Sequence, residues 1–170
     1  MIEKEIVNRV AKLDVININL SDYAPKNEIV ELDLKQFLFK ELILKEKEFR
    51  EGVKSFNFEI YRDKIVALFC SSDTIVPMWA YMLITTYLTD VCATVSYGNK
   101  KEVLQSVLLN NIRLLDETEF KNKRVLVNGC GKIKLSESLF IAITKKLQPQ
   151  VKSLMFGEAC SAVPIYKKRK

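Results

Sequence analysis

The chain has 170 residues, 48% of them hydrophobic and 28% charged, a balance that fits a folded globular protein and excludes a mainly disordered one. It contains no histidine, which removes histidine general bases, histidine-ligated zinc and serine–histidine hydrolases. Of the net charge of +6, four units come from Lys167, Lys168, Arg169 and Lys170; the body is nearly neutral, without the basic stripe and interleaved aromatics of a nucleic-acid binder.

Met1 to Glu5 opens a polar stretch with no apolar region behind it, so no signal peptide is expected and the compartment is read as cytoplasmic. The alternation of Ile16, Ile18 and Leu20, the turn signal SDYAPKNE and the extended run Ile29 to Leu32 are consistent with an antiparallel strand pair. A charged helix is expected over Leu44 to Phe56, with Phe49, Val53 and Phe56 on one face. The runs KIVALF (Lys64 to Phe69), ATVSY (Ala93 to Tyr97), RVLVN (Arg124 to Asn128) and VKSLMF (Val151 to Phe156) read as strands, being rich in β-branched and aliphatic residues. Between them, Pro77 to Leu88, Lys101 to Leu115 and Ser136 to Leu147 carry helical spacing. The longest uncharged run, between Asp73 and Asp90, contains Pro77 and falls short of the roughly 20 residues of a membrane span. It reads as a buried helix.

Alternating strands and helices predict an α/β fold: a mainly parallel sheet of βαβ units with helices on both faces. With no Pro/Gly-rich linker, residues 1–170 are expected to form a single domain, with an N-terminal elaboration (1–60), an α/β core (61–166) and a solvated basic tail (167–170). The two crossovers also match one another. YRDKIVALFCS, a helix and VSYG correspond to FKNKRVLVNGC, a helix and LMFG, pairing Tyr61 with Phe120, Lys64 with Lys123, Leu88 with Leu147 and Gly98 with Gly157. An internal duplication accounts for this, as does the common pattern of buried βαβ units.

Ligands of open parallel sheets bind beyond the carboxyl ends of the strands. Cys70, Cys130 and Cys160 each follow a predicted strand, whereas Cys92 precedes one and reads as a structural, core-facing thiol. Three thiolates at one sheet edge, with Asp73 or Glu158 as a fourth ligand, would suit zinc or an iron–sulfur cluster, both of which favour soft sulfur. The expected function is therefore metal binding, as a binding protein more than as an enzyme. A thiol-dependent enzyme is the alternative, with Cys70 or Cys130 activated by a helix N-terminus and Lys132. The NGCGK loop could also cradle an anion through backbone amides. It lacks P-loop spacing. Trp79 and Tyr81 read as core aromatics.

The strings EIVNRV, CSSDTIVPMWAYML, FKNKRVLVNGC and GEACSAVPIYK resemble an uncharacterised bacterial family, domain of unknown function 2480, along nearly the whole chain. The resemblance implies cysteines in the loops of Cys70, Cys130 and Cys160. It also implies a cluster-related role, as an iron–sulfur accessory or carrier with iron–sulfur assembly proteins as partners, and assigns no catalytic residue.

Overall fold

The computed structural model describes residues 15–131 and 133–169. Glu5 to Val10, the proposed activator Lys132 and the last residue of the basic tail lie outside the described residues. The strands are β1 (Val15–Asn19), β2 (Ile29–Asp33), β3 (Ile65–Phe69), β4 (Thr94–Tyr97), β5 (Arg124–Asn128), β6 (Ser153–Phe156) and β7 (Val163–Lys167). The helices are α1 (Glu46–Ser55), α2 (Met78–Leu88), α3 (Lys100–Leu114) and α4 (Glu137–Leu147). The fold is α/β, mostly parallel, with helices flanking the sheets, as the alternation predicts. Among the described residues no helix is long and apolar enough to cross a membrane.

The strands make two sheets, of order β1-β5-β6-β7 and β2-β3-β4. Backbone contacts divide the chain into two compact units, one from Pro25 to Ser106 and the other from the segments up to Ala24 and from Val107 onward. We call them the inner and outer units, because in chain order the first interrupts the second. The antiparallel pair expected near the N-terminus does not form. β1 runs parallel to β5 and β2 parallel to β3, so each joins a different sheet. The reason is that each βαβ crossover leaves one apolar strand edge free, and β1 and β2 each fill one.

The inner unit surrounds a core of Leu32, Phe49, Val53, Val66, Ile84 and Leu88. Four consecutive residues of β3, Ile65 to Leu68, are buried, as expected of a central strand covered on both faces. Helix α1 contributes Phe49 and Val53 while its acids Glu46 and Glu48 lie in the first turn, where they complement the helix dipole. Asn99 begins α3 with a reciprocal cap: its side chain accepts from the N–H of Lys101 and Glu102, and its own N–H donates to Glu102 Oε2 at 2.9 Å.

The outer unit repeats this layout 59 positions later. Strands β3 and β5, helices α2 and α4, and strands β4 and β6 coincide at that offset, end for end. The core coincides too, with Leu108, Ile112, Ile143 and Leu147 standing for Phe49, Val53, Ile84 and Leu88, all buried. Gly98 and Gly157 both hold positive φ, +122° and +112°, a conformation glycine adopts without strain. The copies diverge after these glycines: the inner chain enters α3, whereas the outer chain turns back as β7, antiparallel to β6. Strand β7 is not among the strands expected from the sequence, and its last residue falls in the expected basic tail. Lys167 is its last residue and the Lys168 N–H donates to Lys152 O at 3.0 Å, so the tail begins as sheet.

Candidate functional site

The leading strand of each unit ends in a short polar side chain that ties down the loop beyond the central strand. In the inner unit Asp33 Oδ1 accepts from the N–H of Lys35, capping the turn Leu34–Phe37, and from the N–H of Ser71 at 3.0 Å, while Ser71 Oγ donates to Asp33 Oδ2 at 2.5 Å. Burial pushes the Asp33 carboxyl up, but the hydrogen bonds from Ser71 and Lys35 and the Lys35 charge outweigh it and hold its pKa below the ordinary value. In the outer unit Asn19 does the same work, accepting from the Ser21 N–H and donating from Nδ2 to Cys130 O at 2.9 Å. These contacts position loops, and the sequence signal for them is an Asx residue closing an apolar strand.

Cys130 follows β5 and is exposed; its thiol donates to Glu158 Oε1 at 3.0 Å. The hydrogen bond to that carboxylate, and its charge, push the Cys130 pKa up. This opposes the activated thiolate expected there: a nucleophilic cysteine needs a positive neighbour, and Cys130 has an acid. The loop passes close over its surroundings. A Cβ at Gly131 would stand 2.7 Å from Ser21 Oγ, and one at Gly129 would stand 2.6 Å from Leu135 Cδ1 and 2.9 Å from Phe140 Cζ. Beneath it, Ser21 Oγ and Asn128 Oδ1 are buried without a hydrogen-bond partner among the described residues.

The expectation of a three-cysteine metal centre is corrected. Cys70 follows β3 of the inner sheet, whereas Cys130 and Cys160 follow strands of the outer sheet, so no single sheet edge gathers them. Among the described residues no group of three or more Cys, Asp or Glu side chains could hold a metal ion. Cys70 packs in part against the inner core, its thiol facing Ser72 O at 3.9 Å; Asp73 and Cys160 are exposed. Cys92 is half-buried against the inner core, and burial raises its pKa. All four cysteines are free thiols.

What sequence reasoning missed is the surface of the inner unit. Ile75 is 91% exposed, Met78 75%, Met82 68% and Tyr97 76%. Ile75, Met78 and Tyr97 line a groove of about 680 Å³ with Leu68, Tyr81 and Thr85, and the Tyr81 and Tyr97 rings meet edge to face at 5.7 Å. The same positions of the outer unit carry Lys134, Glu137, Ile141 and Phe156, so charge replaces Ile75 and Met78 there while the other two positions stay apolar. Trp79 and Tyr81, both expected in the core, are half-buried against it: Trp79 meets Phe49 edge to face at 5.6 Å, while Tyr81 also lines the groove.

Fold and surface together define a mostly parallel α/β protein of two matching units, with two structurally tied sheet-edge loops and an apolar groove on the inner unit. A family model described as "Protein of unknown function (DUF2480)" matches residues 4–168, and the chain belongs to that family. No curated protein and no solved structure matches it.

Proposed function

We propose that this chain is a protein-docking module whose contact surface is the apolar face of the inner unit. The observation that carries the reading is the exposure of Ile75, Met78 and Tyr97 around one groove, with the exposed Met82 one helical turn beyond Met78 on α2. Single exposed apolar residues are ordinary, but large ones grouped around a groove mark interaction sites. Two of the four are methionines, whose flexible thioethers adapt to a partner surface. The raised Cys130 pKa and the structural use of Asp33 and Asn19 weigh against a reacting centre at the strand ends. The four free thiols support a reducing compartment, the cytoplasm.

The test is a photo-crosslinking amino acid placed at Met82 in living cells, with Glu51 on exposed α1 surface as the control position. The reading expects a discrete protein adduct from Met82, lost when Ile75→Glu is added. Equal adduct patterns from both positions would overturn it.

A further inference from the structure

We propose that the groove beside β4 is filled by a second copy of this chain, the two β4 strands pairing antiparallel across a two-fold axis. The proposal rests on the docking reading and names its partner. The repeat supplies the first argument. In the outer unit, the strand equivalent to β4 is β6, and β7 lies antiparallel along it, setting Phe156 opposite Val163. Ile165 of β7 closes the groove formed there by Val127, Phe140, Thr144 and Phe156. Their counterparts Leu68, Tyr81, Thr85 and Tyr97 form the inner groove, yet among the described residues β4 pairs with β3 alone. The covered Phe156 is 44% exposed and the uncovered Tyr97 76%. One copy of the repeat thus shows what the other lacks: an antiparallel strand with an apolar side chain over the groove.

Charge supplies the second argument. Natural edge strands are guarded by charges or proline. Strand β2, the opposite edge of the inner sheet, carries Glu31 and Asp33, and β7 carries Pro164 and Lys167; β4 reads Thr-Val-Ser-Tyr, with neither. Strand β1, at the far edge of the outer sheet among the described residues, also has neither, but it carries two asparagines, Asn17 and Asn19, and lines neither groove. The exposed Asp90 precedes β4 and the exposed Lys100 and Lys101 follow it. Antiparallel self-pairing therefore brings the acid of each copy toward the bases of the other, twice, with no like charges between the strands. A two-fold axis perpendicular to the sheet keeps both α2 helices on the same face, so Ile75 and Met78 of the two copies flank one seam. The association closes at two, because each copy spends the edge that makes the contact.

The test is analytical ultracentrifugation of the full chain across a hundredfold concentration range, with hydrogen exchange of the outward β4 amides, those that face away from β3. We expect a dimer whose dissociation constant rises at least about tenfold in Tyr97→Lys, a substitution at an exposed site, with folding checked by circular dichroism. Protection of the outward β4 amides should fall as the dimer is diluted. A folded Tyr97→Lys chain that remains dimeric would assign the contact elsewhere and overturn the proposal. So would a monomer whose outward β4 amides are protected, which would assign the edge to another segment of the same chain. A monomer with unprotected outward β4 amides also overturns it; in that case an adduct from Met82 to a different protein would leave the docking reading standing, and no adduct would remove both.

Discussion

Asp63 and Asn122, 59 positions apart, hold the same left-handed backbone conformation, φ +59° in each, and make the same bond. The Asp63 N–H donates to Val91 O at 3.1 Å and the Asn122 N–H to Gln150 O at 2.8 Å, carbonyls that are themselves 59 positions apart. Asp and Asn tolerate this conformation better than other non-glycine residues, and β-branched residues tolerate it least. Asn122→Val and Asp63→Val should each cost about 1–2 kcal/mol, while the glycine variants stay within about 0.5 kcal/mol of the parent. Urea denaturation measures both pairs; a valine variant as stable as its glycine counterpart would contradict the assignment.

The Asp33 carboxylate predicts an acid-dependent loss of stability in the inner unit. Its folded pKa lies below the unfolded value of about 3.9, so its contribution is complete above that value and is lost as pH falls through the folded pKa. Asp33→Ala removes both the turn cap and the tether on Ser71 and should cost about 2 kcal/mol at pH 7. The gap between parent and variant should narrow below about pH 3.9. Denaturation followed as a function of pH checks the sign.

The hydrogen bond to Glu158 and its charge push the Cys130 pKa up, so removing that charge should speed alkylation. In Glu158→Gln, Cys130 should react faster with iodoacetamide near pH 8 than in the parent, with the exposed Cys160 as an internal reference. Peptide mass spectrometry gives both rates. An unchanged ratio would mean that the carboxylate does not govern the thiol.

Gly129 stands where the inner repeat has Cys70. The side chains of Leu135 and Phe140 fill the space a Cβ would need, so Gly129→Cys, although it copies the other repeat, should cost about 1–3 kcal/mol through overpacking. A double variant that also shortens Phe140→Leu should recover part of that cost, as thermal unfolding would show.

The elements were legible in the sequence because burial on both faces leaves β3 and β5 as continuous apolar runs and one-sided burial gives α1 its stripe of Phe49 and Val53. Pairing was less legible. Apolar alternation in Val15–Asn19 and Ile29–Asp33 says that one face of each strand is buried, and nothing about which neighbour buries it, so two strands that enter different sheets looked like one hairpin. The matched spacing of Lys64 with Lys123 and Gly98 with Gly157 was the available clue, since each repeat carries its own central strand. Strand β7 escaped notice because Pro164 and the following basic residues resemble a loop and a tail. The three cysteines were each placed correctly beyond a strand. Their convergence failed because it assumed one sheet where there are two.

The interruption of the outer unit by the inner one also sets an order of events during synthesis. All seven elements between Ile29 and Tyr97 that build the inner sheet and its helices and turns are contiguous, so their contacts close over short chain separations, which is the fast regime. Strand β1 leaves the ribosome before the other described elements, yet its partner is β5, with Ile18 meeting Val127. An apolar strand made before the inner unit thus waits for a strand made after it, and a chain halted before Arg124 would carry a finished inner fold and an orphaned β1, the part a chaperone would have to shield.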